Sequence, residues 1–138
     1  MVIKSKFKKL SLPKQYLTND SCNDPTVKLV ATALLEYVIK NPVNPCITYA
    51  QLSRLCQGKV HYRNLDESLG KISDLCIINN LPPVSAVVYN QNENRCGAGF
   101  FKYFYPHLPE CDWDKQFVEC IKQVMDCDKW EEFLKIFE

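Results

Sequence analysis

The chain has 138 residues, of which 46% are hydrophobic and 24% charged, and its formal net charge is +1. That length suits one hydrophobic core, and the apolar runs fall well short of the roughly 20 residues that cross a bilayer. No apolar stretch follows the N-terminal lysines, so no secretory leader is read and the cytoplasm is the expected location.

The near-neutral total hides an asymmetry. Residues 1–71 hold eleven Lys and Arg against five Asp and Glu, whereas residues 72–138 hold six against eleven. A basic half suits phosphates; an acidic half suits a basic protein surface or water. The eight cysteines are Cys22, Cys46, Cys56, Cys76, Cys96, Cys111, Cys120 and Cys127. None lies at the close spacing of a zinc knuckle, and His61 and His107 stand apart, so neither a metal site nor a cofactor is expected. The thiols read as reduced and mostly buried.

Residues 1–23 read as a basic arm. Lys4, Lys6, Lys8 and Lys9 alternate with apolar or small residues, as in a short strand or in a flexible arm that tracks phosphates. Asp24-Pro25 then starts a helix, Asp as N-cap and Pro at the first turn, with Val27, Val30, Ala31, Leu34, Tyr37 and Val38 on one face. Asn41-Pro42 ends it.

Thr48 and Gln51 form a capping-box pattern for a second helix, whose apolar face is Tyr49, Leu52, Leu55 and Cys56 and which stops at Gly58. Arg54, Lys59, His61 and Arg63 fall in or beside the turn that follows. Asn64 and Glu67 predict another capping box, opening a third helix with Leu65, Leu69, Ile72, Leu75 and Cys76 inward. Asp66, Glu67, Ser68, Lys71, Ser73 and Asp74 are left for its other faces. Three acids and one Lys are a poor set for reading a major groove, where Arg, Lys, Asn or Gln is the norm.

The β-branched run Val84–Tyr89 predicts a strand, and Asn90–Asn94 a hairpin turn. Residues 100–105, five of them aromatic, read as the return strand or as a short helix. Beyond them, Asp112 predicts an N-cap for a helix bearing Trp113, Phe117, Cys120, Ile121 and Val124. Asp128 with Glu131 predicts a capping box for a last helix bearing Trp130, Phe133, Leu134 and Phe137.

The expected class is therefore α+β: a winged helix-turn-helix, mostly helical, with a small β-hairpin wing and a helical C-terminal extension. Residues 24–138 form one domain, with the winged-helix core at 24–106 and the C-terminal helices at 107–138.

Three segments carry a resemblance. Ile47-Thr48-Tyr49-Ala50-Gln51-Leu52, Asp66-Glu67-Ser68-Leu69-Gly70 and Leu81-Pro82-Pro83-Val84-Ser85-Ala86-Val87, with a later Gly97-Ala98-Gly99-Phe100, are similar in order and spacing to the DNA-binding domain of the alkyltransferase family. The resemblance implies a winged helix that binds DNA. It also places Pro83 where that family has its acceptor cysteine and Glu67 where it has its base-flipping arginine, so alkyl transfer is not expected. The whole chain resembles a set of small proteins of bacteria and their mobile elements, sharing Leu69 to Ile72, Leu81 to Asn90 and Asp128 to Trp130 as well. That resemblance implies no activity; it points to a phage or plasmid origin.

The leading expectation is a non-enzymatic protein that binds duplex nucleic acid through its backbone, with Lys4, Lys6, Lys8, Lys9, Arg54, Lys59, His61, Arg63 and Lys71 as the contact set. The alternative is an anti-defence inhibitor of anti-CRISPR type. It would bind a host defence protein or nucleoprotein complex, its acidic half mimicking nucleic acid. A cysteine-dependent enzyme using His61 or His107 ranks last.

Overall fold

A computed structural model describes residues 19–61, 64–92 and 95–138. It is mostly helical with one two-stranded sheet. The basic arm's Lys4, Lys6, Lys8 and Lys9, and Arg63 of the turn, lie outside the described residues.

A 3-10 turn at Asn19–Asn23 leads into helix α1, Pro25–Lys40. Its start is as the sequence predicts: the Asp24 carboxylate accepts from the amides of Thr26 (2.8 Å) and Val27 (3.3 Å), two donors that the helix itself leaves unpaired. Val27, Val30, Ala31, Leu34, Leu35 and Val38 form its buried face. At the other end the Asn41 side chain donates to the Tyr37 carbonyl at 2.9 Å.

Strand β1 is Ile47–Thr48, followed at once by helix α2, Tyr49–Leu55. The predicted capping box is present: the Gln51 amide donates to the Thr48 hydroxyl (3.1 Å) and the Thr48 amide to the Gln51 side-chain oxygen (3.0 Å). Leu52 and Cys56 face the core, but Leu55 is exposed, because on so short a helix one narrow stripe reaches the interior. Gln57 and Gly58 both adopt positive φ (59° and 72°), and this left-handed pair reverses the chain. The Ser53 hydroxyl pins the turn by donating to the Val60 carbonyl at 2.7 Å.

Helix α3, Leu65–Ile78, lacks the predicted capping box: Asn64 sits at φ −98° and ψ 0° and its side chain makes no cap hydrogen bond. Glu67 turns to Lys71 instead, at 3.5 Å. The inward stripe of Leu65, Leu69, Ile72, Leu75 and Cys76 is as expected, but Ser68, Ser73 and Asp74 are buried too. The helix is covered on one side by α1 and on another by the 84–87 segment, which buries these polar residues and leaves Asp66 and Glu67 of its first turn in water.

The Val84–Tyr89 run is a strand only at its end. Val84–Val87 form a 3-10 turn, with the Ala86 amide donating to the Pro83 carbonyl at 3.1 Å, and only Val88–Tyr89 form β2. Pro82 and Pro83 have no amide hydrogen to give a ladder, and the buried Ser73 and Ser85 hydroxyls bond each other across α3 and this turn. Packing thus overrides β propensity. Among the described residues β2 forms no hairpin with a following strand; it lies parallel to β1, Ile47 opposite Val88 and Thr48 opposite Tyr89. Asn90 and Arg95 form an antiparallel bridge, the Asn90 amide donating to the Arg95 carbonyl at 2.7 Å. Of the two readings open for residues 100–105, the helix is the one adopted: α4 is Ala98–Phe104.

After a 3-10 turn at Glu110–Asp112 come α5, Trp113–Asp126, and α6, Trp130–Lys135. The predicted caps at Asp112 and Asp128 are not made. Asp112 has no side-chain cap bond, and α6 starts two residues after Asp128, where the indole nitrogen of Trp130 donates to the Val124 carbonyl at 3.0 Å. The main core joins α1, α3 and α6, with Leu52 from α2 and Val88 from β2. A second cluster forms around Phe101 and Trp113, whose rings stack 4.7 Å apart, and Arg95 lies over the Trp113 ring and pairs with Asp114 at 2.8 Å. Among the described residues no helix is long and apolar enough to cross a membrane.

Candidate functional site

A pocket of about 650 Å3 opens where β1 passes into α2, bounded by the first turn of α3, the end of β2 and the start of α4. The parallel pairing of β1 and β2 brings these ends together: it sets Thr48 beside Tyr89, so the chain leaves both strands on the same side. The volume falls within the range of small-molecule sites. Tyr49, Tyr89, Phe100 and Phe104 supply aromatic wall; Thr48, Ser85, Asn90, Gln91 and Asn92 supply neutral polar groups; Asp66 supplies the one formal charge among the described lining residues.

Tyr49 joins three sides of this pocket. Its hydroxyl lies near the Asp66 carboxylate, whose charge it feels, and near the Gly97 backbone. Burial and then the Asp66 charge push the Tyr49 hydroxyl far above its ordinary range, so it stays protonated. A Cβ at position 97 would meet the Tyr49 oxygen at 3.6 Å, an ordinary van der Waals contact, so the approach does not require glycine there. Gly99 faces open space.

The basic turn lies at the other end of α2. Arg54, Lys59 and His61 are all exposed, and Arg54 and Lys59 form no ion pair among the described residues. Lys71, placed in the same contact set, is elsewhere engaged: its ammonium lies 3.6 Å from Asp24 and 3.5 Å from Glu67. Burial opposes ionisation of Asp24, but the Val27 and Thr26 amides and the Lys71 ammonium outweigh it and hold the carboxyl below its usual range. Of the nine basic residues singled out, three are thus brought together at the turn, and Lys71 is neutralised.

Cys56, Cys76, Cys96 and Cys120 are buried, and burial raises the thiol pKa of Cys56, Cys76 and Cys96. A raised thiol is a poor nucleophile at neutral pH. The Cys120 sulfur lies 3.5 Å from the Tyr105 hydroxyl and 3.5 Å from the Gln116 amide nitrogen. Among the described residues no three His, Cys, Asp or Glu side chains gather around a point where a metal ion could sit. His61 and His107 are exposed, and neither lines the pocket.

The sequence reading missed the pocket. Tyr49 reads as a core residue and Asp66 as a solvated one, and neither type announces a site alone. The nearest signal is Gly97-Ala98-Gly99, which permits close approach of backbone but does not say to what. No family model, no curated protein and no solved structure matches the chain.

Proposed function

We propose that the protein is a non-enzymatic nucleic-acid-binding protein that holds duplex mainly by its phosphates. The observation that carries this reading is the α2–α3 turn. Arg54 at the end of α2 and Lys59 and His61 in the connection after it are exposed, and residues 47–65 contain no Asp or Glu. In this reading α2 and α3 are the two halves of a helix-turn-helix, the bridged 90–95 turn takes the place of a wing, and Lys4, Lys6, Lys8, Lys9 and Arg63 extend the basic surface. Asp66 and Glu67 in the first turn of α3 repel phosphate, so base reading in the major groove is slight. The test is fluorescence anisotropy with a mixed-sequence duplex over a range of salt. Binding on the order of micromolar that weakens steeply with salt supports the reading; absence of binding at low salt overturns it.

A second reading rests on the acidic residues of the C-terminal helices. Asp112, Asp126, Asp128, Glu131 and Glu132 are all exposed around α5 and α6. We infer from this surface that the protein could instead occupy a nucleic-acid groove of a host defence complex, as a mobile-element inhibitor does. Asp126→Lys, Glu131→Lys and Glu132→Lys together should then abolish capture of that complex while the protein stays folded; persistent capture excludes mimicry.

A further inference from the structure

The pocket at the start of α2 has chemistry opposite to that of the basic turn. Four aromatic side chains and one carboxylate, Asp66, line it, and no Lys, Arg or His is among the described lining residues. Asp66 is exposed and lines the pocket beside the Tyr49 hydroxyl. A carboxylate beside aromatic faces attracts a flat, delocalised cation in two ways, by charge-assisted hydrogen bonds and by cation–π contact.

One feature of the geometry works against this. The N-termini of α2 and α4 open on the same pocket, and helix N-termini favour anions. The free donors of α2 are partly taken by the Thr48–Gln51 capping box. What remains is the uncapped end of α4 and part of the α2 end, both seven-residue helices, each worth at most about half a charge spread over several amides, against the full charge that Asp66 places on one carboxylate. The carboxylate prevails.

We propose that this pocket is a binding site for a flat organic cation, an amidinium or guanidinium group carried on a small apolar body. The site is separate from the proposed phosphate contacts and does not depend on them. The apolar body packs among Tyr49, Tyr89 and Phe100, and the cationic edge faces Asp66. Gly99 leaves the space open: nothing lies within 4 Å of a Cβ built there.

The experiment is an NMR titration of the 15N-labelled full chain with benzamidinium, benzamide and benzoate, which share ring and size but are positive, neutral and negative. Benzamidinium should shift the amides of Tyr49, Gly97 and Gly99 saturably. Benzamide should bind about tenfold more weakly, the difference of one charge-assisted contact, and benzoate more weakly still. Asp66→Asn keeps the size of the side chain but removes the charge, and should lower benzamidinium affinity to that of benzamide. Gly99→Leu should fill the space and block both, with the remaining amide spectrum unchanged. Benzoate or benzamide binding as tightly as benzamidinium, no saturable shift with any probe, or undiminished benzamidinium affinity in Asp66→Asn would each overturn the proposal.

Discussion

The two ends of helix α2 are built from one short stretch and are chemical opposites. At its start, Thr48 and Tyr49 face a pocket whose single described charge is the Asp66 carboxylate; at its end, Arg54 leads into a turn bearing Lys59 and His61 without an acid. The helix is only seven residues long, so the ends are about 10 Å apart, close to one Debye length at physiological salt. Salt therefore screens the two ends from each other only in part, and they share one scaffold. A net charge of +1 reports neither end, which is why whole-chain charge is a poor guide to this molecule's surface.

The most severe way to break the comparison is to remove what the ends share. Leu52 is the fully buried anchor of α2. Leu52→Ala should destabilise the protein by about 2–5 kcal/mol, the usual range for truncating a buried leucine, as read by urea unfolding. Both ends should loosen together; a smaller effect would mean that α2 is held mainly by its caps.

Next in size is the basic end alone. Arg54→Ala with Lys59→Ala touches two exposed side chains, so stability should stay within about 0.5 kcal/mol. Duplex binding should weaken for all sequences, and the salt slope should fall by about 2, one for each lost phosphate contact. An unchanged slope would remove the turn from the interface.

The pocket end is set by its cap. Thr48→Ala removes the acceptor for the Gln51 amide and should cost about 1 kcal/mol in thermal or urea unfolding, with the salt slope of the basic end untouched.

The smallest expected effect sharpens the boundary of the basic surface. Because Lys71 is tied to Asp24 and Glu67, Lys71→Ala should leave the salt slope unchanged. It should also raise the Asp24 pKa toward the ordinary carboxylate value. The lowered Asp24 pKa of the folded chain contributes stability above the unfolded value near 3.8, and that contribution is lost as pH falls through the folded value. Lys71→Ala should therefore shrink the part of acid destabilisation that develops below about pH 4, measured by unfolding at stepped pH.

Local chemistry was legible in the sequence. Asp24-Pro25, the Thr48–Gln51 box and the stop near Gly58 need only a few neighbouring residues, so the sequence alone determined them. The buried stripes of α1 and α3 followed from periodicity for the same reason. Asn64, Asp112 and Asp128 had equally good capping patterns and made no cap. A pattern supplies an acceptor, but the incoming chain direction decides whether it can reach the free amides.

Only the tertiary structure decided the rest. Val84–Val87 turn instead of extending because two prolines and the Ser73–Ser85 contact dominate their β propensity. Residues 98–104 become helix, and β2 finds its partner some forty residues upstream in β1. That parallel pairing is non-local, and no periodicity within either segment encodes it. It is also what brings Tyr49, Asp66 and Gly97 to one point. The basic turn, contiguous in the chain, could be read from the sequence; the pocket, assembled from four separated segments, exists only once the strands have paired.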